Sequence, residues 1–427
     1  MEKLYLITYF LLWIATLIIY WHRKRILDAG WIILCAYVGC TGMSLWLFSM
    51  PPIYYEYEPL HLFPFLYLFG MILLTLWPVL RFDSNRITSI EQPNMRILDM
   101  IVCLIILFSI AYVPTLLDLV RENKISQLFS NSEAGSEMYL ESMMEAENGG
   151  SGINNLPSIV VNVFSDITIL LLFYYLSLPK KKWILISGLM LSSFLYVVTP
   201  IFNGQRGNVI IALLTIVVAY FLMRTYFSTR LRRWLDILGI ALIIGVSVPV
   251  IAITMSRFSW RDGGAIGSVV YYMGQAPLNF NNYGLDAGGI RYGDRTFNLA
   301  KRLVNPDTPK NYVERRDKYF NLKMDDYIFY TFVGDFTLDF GPYIAPLIFI
   351  LFTMLILKYT KPKENQIAFH QLLLIYLVAC ICMQGSFYLF AYADTAGLRV
   401  VALFILYFLL KYSSNQSVKE SQSLCQD

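Results

Sequence analysis

Arg206 stands in the turn Asn203-Gly204-Gln205-Arg206-Gly207-Asn208, between two apolar stretches. A connection that short holds the guanidinium at or below a membrane surface, where a charge is costly and is usually paired or functional. Its five donors in a plane suit phosphate or pyrophosphate oxygens. The flanking glycines let the backbone turn sharply and approach a ligand. The alternative is an arginine reaching out to lipid headgroups. Arg399, near one end of the last apolar stretch, poses the same choice.

A second group of chemically able residues lies between Ser256 and Phe340. It opens with Arg257, Trp260, Arg261 and Asp262 and continues with Arg291, Tyr292, Asp294 and Arg295, set among glycines. Arginine and aspartate bind phosphates and hydroxyls, and a carboxylate can act as general base. The faces of Trp260 and Tyr292 can stack on sugar rings, and an aromatic belt at the membrane interface is the other use for such residues. Asp335 and Asp339 are four apart and share a face if that segment is helical. They are candidates for a polar or catalytic site, or Asp339 caps the helix that follows Gly341-Pro342. Asp166 lies in the middle of an apolar stretch, where it either pairs with a cation, serves a polar cavity or holds helices together.

The elements that must position these residues are apolar and long. Of 427 residues, 57% are hydrophobic and 15% charged, well outside the soluble range. Crossing a bilayer takes roughly 20 apolar residues. On that measure about eleven spans are expected: Leu4–Trp21, Ile26–Ser49, Pro59–Leu80, Ile97–Leu119, Pro157–Leu178, Trp183–Phe202, Asn208–Phe227, Trp234–Met255, Gly341–Leu357, Ile367–Phe390 and Thr395–Leu410. The fold class expected is all-α, a single polytopic membrane domain over residues 1–427. The first span ends in His22-Arg23-Lys24-Arg25 and reads as an anchor rather than a cleaved leader.

Short connections alternate in charge. One kind is basic: Arg23-Lys24-Arg25, Arg81/Arg86/Arg96, Lys180-Lys181-Lys182, Arg230/Arg232/Arg233 and Lys358/Lys361/Lys363. The other kind has almost no cation, Arg206 being the exception. Basic short loops stay in the cytoplasm. The N-terminus is then external, the tail 411–427 cytoplasmic, and the long connections 120–156 and 256–340 external. The net charge of +4 comes from separate loops rather than one face, so nucleic acid is not an expected partner. The three histidines are scattered, no acidic metal motif stands out, and the cysteines lie in spans or the tail, so neither a metal site nor a disulfide framework nor any cofactor is expected.

This layout resembles the bacterial O-antigen polymerases, the oligosaccharide repeat unit polymerases of Wzy type. The likeness rests on the many spans, the turn Gly204-Gln205-Arg206-Gly207, one large outer loop rich in Arg and Gly, and the segment Gly334-Asp335 to Asp339-Phe340-Gly341 before a late span. The resemblance implies a metal-independent glycosyltransferase in the bacterial inner membrane. It would join polyprenyl-pyrophosphate-linked oligosaccharides at the outer face, for O-antigen, capsule or exopolysaccharide. Arginines 206, 257 and 261, with 291 and 295, would bind pyrophosphate. The partners implied are the lipid-linked substrates, the bilayer, and a chain-length regulator and flippase of the same pathway. An O-antigen ligase-like transferase and a lipid-linked oligosaccharide transporter are the other classes that this layout admits.

Overall fold

A computed structural model describes residues 1–51, 58–122, 137–138, 156–258, 264–324, 328, 330–387 and 389–423, without the side chains of 256–258, 265 and 415–423. The helices are α1 (Glu2–Lys24), α2 (Ala29–Phe48), α3 (Leu62–Arg81), α4 (Met95–Glu122), α5 (Leu156–Ser177), α6 (Trp183–Phe202), α7 (Arg206–Met223), α8 (Thr229–Phe258), α9 (Gly264–Tyr283), α10 (Asn298–Val304), α11 (Tyr312–Lys318), α12 (Thr331–Tyr359), α13 (Phe369–Gln384) and α14 (Gly397–Ser423). Two three-residue strands, Ser89–Glu91 and Gln366–Ala368, complete an otherwise all-α chain.

Among the described residues, ten helices are long and apolar enough to cross a membrane: α1 to α8, α12 and α14. Their outward surfaces are apolar too. On α8 the side chains of Ile237, Ile240, Ile244, Val248 and Ile251 are exposed, and on α12 those of Leu347, Leu351 and Met354. Continuous apolar surface of this kind has no place in water and belongs against lipid. Ten of the roughly eleven expected spans are among these helices. Residues 367–390 hold the 16-residue helix α13, shorter than the other spans and buried almost throughout. The long connection 256–340 is also largely helical where described. It includes the 20-residue helix α9 and the short helices α10 and α11.

The chain divides into two compact units. The first comprises Met1–Ile87, Val269–Ile367 and Gln371–Val401, and the second Thr88–Ser268, Ala368–His370 and Ala402–Asp427. In the first, Trp13 stacks on Tyr37 with ring centres 4.4 Å apart, and Tyr9 on Phe65 at 5.1 Å. Gly274 lets α9 lie directly on α2: a Cβ there would stand 2.7 Å from the Met43 carbonyl oxygen, and Ser44 Oγ donates to the Gly274 carbonyl at 2.7 Å. Lys24 donates to the Phe82 carbonyl, and Asn85 Nδ2 donates to that of Lys24, so the basic ends of α1 and α3 lie together. At the other end of this unit, Asn281 exchanges two hydrogen bonds with the backbone of His61, at 2.9 and 2.7 Å. The alternation of basic and neutral connections along the sequence is thus a separation in space within this unit.

In the second unit α4, α5 and α6 pack around Tyr112, Leu116, Val161, Leu195 and Phe202. Asp99 accepts from Tyr175 at 2.7 Å and pairs with Lys182, again at a basic connection. Asp166 is 4% exposed, within the packed face of α5.

Candidate functional site

Asp335 and Asp339 lie on the first half of α12, and one residue explains why that half is separate. Gly341 has φ 81° and ψ 162°, a backbone state closed to side-chain-bearing residues, and it breaks α12 into a segment 331–340 and a membrane-length segment from Pro342. Every side chain from Thr331 to Asp339 is buried. The expected helical face is present: the two carboxylates point to the same neighbour, the segment that follows α9.

That neighbour supplies two arginines, also four apart. Arg291 Nε donates to Asp339 Oδ1 at 2.8 Å, and its Nη2 donates to Asp335 Oδ1 at 3.1 Å. Arg295 Nε lies 2.8 Å from Asp335 Oδ1. Backbone and hydroxyl donors complete the set. The N–H and Oγ1 of Thr296 reach Asp339 Oδ2 at 2.7 and 2.8 Å, and the N–H of Phe390 reaches Asp335 Oδ2 at 2.8 Å. Arg291 N–H donates to the Leu338 carbonyl at 2.9 Å, which fixes the register of the segment on the helix. Arg291 is 2% exposed and both aspartates 0%. Two positive and two negative charges thus sit together away from solvent, and Arg291 and both aspartates each have several partners, as burial requires.

Asp294 points the other way, into a second cluster. Its carboxylate pairs with Lys301, and accepts from Lys318 at 2.8 Å and from the Tyr319 hydroxyl at 2.7 Å. Burial pushes its pKa up, but the hydrogen bonds from Lys301, Lys318 and Tyr319 outweigh that and hold it below the usual aspartate value. The same Asp294 keeps the Tyr319 hydroxyl, itself raised first by burial, well above the usual tyrosine range. Beside them Arg315, 1% exposed, grips Asp394 with both terminal nitrogens, at 2.7 and 2.9 Å. The segment from Tyr283 to Lys323 is therefore held on its unit by two sets of charges, those of Arg291/Arg295 and of Arg315, while the Asp294 set ties the segment to itself.

Arg206 belongs to the second unit. It is the first residue of α7, after a turn in which Gly204 takes φ 63° and Gln205 N–H donates to the Pro200 carbonyl at 2.9 Å. The side chain is half-buried, with Nη1 3.4 Å from Thr254 Oγ1 of α8. A guanidinium at the positive end of a helix dipole forms a positive corner. Arg399 is half-buried in the first turn of α14, in the first unit. Arg257 lies in the last turn of α8, its side chain not described, and Trp260, Arg261 and Asp262 fall outside the described residues. Tyr292 is exposed, with φ 54°.

Of the residues singled out in the sequence, the structure brings Arg291, Arg295, Asp335 and Asp339 together and sends Asp294 to a separate cluster. Sequence reading missed Tyr330, which lies beside Arg291 and Asp335, and also Lys301, Lys318, Arg315 and Asp394. Arg315 and Asp394 had no local signal, since neither periodicity nor a motif links them. Comparison with protein-family models, with curated proteins and with solved structures finds no match to this chain.

Proposed function

We propose that this protein is a glycosyltransferase-type polymerase that joins polyprenyl-pyrophosphate-linked oligosaccharides at the outer face of a bacterial inner membrane. One observation carries the reading: a half-buried guanidinium at the start of a long apolar helix, held in a Gly-x-Arg-Gly turn at the edge of a bundle with lipid-facing surfaces. A polyprenyl pyrophosphate has its anion at headgroup depth and its chain in the bilayer. It needs a cation where Arg206 stands and apolar helix surface beside it.

In the reaction, an acceptor hydroxyl attacks the anomeric carbon of the donor. The bond from that carbon to the pyrophosphate oxygen breaks, the pyrophosphate leaves with the electron pair, and the hydroxyl proton passes to a base. Arg206, at the positive end of the α7 dipole, stabilises the charge that builds on the leaving oxygen. Arg291 and Arg295 are engaged by Asp335 and Asp339, so in this reading the four position the outer segment.

The test is a gel of surface glycans from cells carrying Arg206→Ala at matched membrane level. The expected outcome is loss of the long-chain ladder with single repeat units still delivered. Loss of one such contact to a developing anion slows the step by about a hundredfold, or about 3 kcal/mol. Arg206→Lys recovers part of it, because an ammonium cannot fork onto pyrophosphate oxygens. A normal ladder in Arg206→Ala would overturn the role of Arg206. Failure of units to reach the surface on deletion of the protein would point to a transporter instead.

A further inference from the structure

The segment after α9 and the kink of α12 enclose a cleft of about 190 Å³. One wall is the chain from Gly284 to Ile290, and the other is Thr337, Leu338 and Pro342. We infer that this cleft is a subsite for one neutral pyranose ring, the end sugar of an acceptor glycan. Its place in the reaction rests on the polymerase reading, but its ability to bind sugar does not.

Three features carry the inference. The first is the mixture of surfaces. Leu285, Ile290, Leu338 and Pro342 offer apolar contact to the C–H face of a ring, while Asp286 brings an exposed carboxylate. A carboxylate beside an apolar wall suits a ligand with hydroxyls at its rim and C–H groups on its face, as a pyranose has. The second is a surplus of donors. The N–H groups of Leu285, Asp286, Ala287, Gly289 and Ile290 make no hydrogen bond to another described residue. Backbone donors of this kind take water or a ligand's oxygens. The third is rigidity. Both walls are fixed from outside the cleft: Ala287 accepts from the Lys323 N–H at 3.0 Å, Arg291 N–H is bonded to Leu338, and the Pro342 carbonyl accepts from Tyr67 at 2.7 Å. Lys323 Nζ lies 3.4 Å from Asp286 Oδ2, which offsets its charge and favours an uncharged guest over a cation. The volume is below that of pockets for drug-sized ligands and matches a single ring.

The experiment is saturation-transfer NMR on the purified full-length protein in lipid nanodiscs. The probes are methyl glycosides of glucose, galactose, N-acetylglucosamine and rhamnose, with methyl glucuronide as an acidic contrast. At least one neutral glycoside should receive saturation. Leu285→Trp, which fills the cleft from its edge, should abolish that signal, and Asp286→Asn should weaken binding about tenfold. Both positions are at the surface, so the variants keep the fold. Arg206→Ala should leave glycoside binding unchanged. Should that variant also retain a normal ladder, the polymerase role of Arg206 falls and the subsite stands. No signal from any neutral glycoside, signal confined to methyl glucuronide, or equal signal in Leu285→Trp and wild type would overturn the subsite.

Discussion

Arg315 and Asp394 are 79 positions apart and meet as a two-pronged ion pair, with nitrogen–oxygen distances of 2.7 and 2.9 Å. Arg315 is on the short helix α11 and Asp394 is in the 3-10 turn just before α14. The pair therefore ties the segment 283–323 to the start of the last long helix. Arg315→Ala should destabilise the protein by about 3 kcal/mol, because it leaves Asp394 facing an emptied site. Thermal unfolding in detergent measures this. Exchanging the two residues, as Arg315→Asp with Asp394→Arg, should recover part of the loss, and an additive loss in the double variant would argue against a direct pairing.

Removing Arg291 should be more costly than removing Arg206. Arg291→Ala leaves Asp335 and Asp339 buried with one guanidinium between them, and about 3–5 kcal/mol of stability is expected to go. Lysine should not rescue it, since one ammonium cannot span both carboxylates as the planar fork does. Limited proteolysis of the segment 283–323 and the unfolding midpoint report the effect. Arg206→Ala should leave both at wild-type values.

Acid should loosen the Asp294 cluster. Its carboxyl is held below the usual aspartate value in the folded protein, so the folded state binds its proton less readily than the unfolded one. That contribution is complete above the ordinary aspartate range and is lost as pH falls below it through the folded value. Midpoints measured from neutral to strongly acidic pH should fall at the acid end, and Asp294→Asn should flatten that part of the curve. An unchanged acid limb in the variant would remove Asp294 from the account.

Gly341→Ala tests the kink. Space is not the obstacle, because the nearest atom to a Cβ there is Ile290 Cγ2 at 3.8 Å. The obstacle is φ 81°, and about 1–3 kcal/mol of backbone strain is expected. The unfolding midpoint should drop accordingly, and full wild-type stability would mean that the helix accommodates alanine by straightening.

Sidedness is testable without any structure. Reporter fusions after Lys182, Arg233 and Lys363 should read cytoplasmic, and fusions near Gly150 and Asn305 external. An external reading at Lys182 would reverse the assignment from α5 onward.

Long helices were legible because lipid imposes one requirement on every residue that faces it. The hydropathy of α1 to α8 could be read directly, with boundaries within a few residues. The segment 367–390 differs from the others in being enclosed by protein along α13, and hydropathy does not separate a helix that faces protein from one that faces lipid. Asp335 and Asp339 were placed on a common face from their spacing alone. Their partners were not, because Arg291 and Arg295 look the same in sequence as arginines that wait for a ligand. Only tertiary contact distinguishes a guanidinium that serves its own chain. Arg315 and Asp394 lie further beyond sequence reading, since the chain between them passes through two other helices.

The cluster of Arg291, Arg295, Asp335 and Asp339 contains four formal charges that sum to zero. A lone charge carried across a membrane exchanges about 2.3 kcal/mol with each 100 mV of potential. A cancelled set feels only the gradient across its own small dipole. Energising or collapsing the membrane voltage therefore exerts no net force on this cluster, whatever the charge of the segment that it anchors.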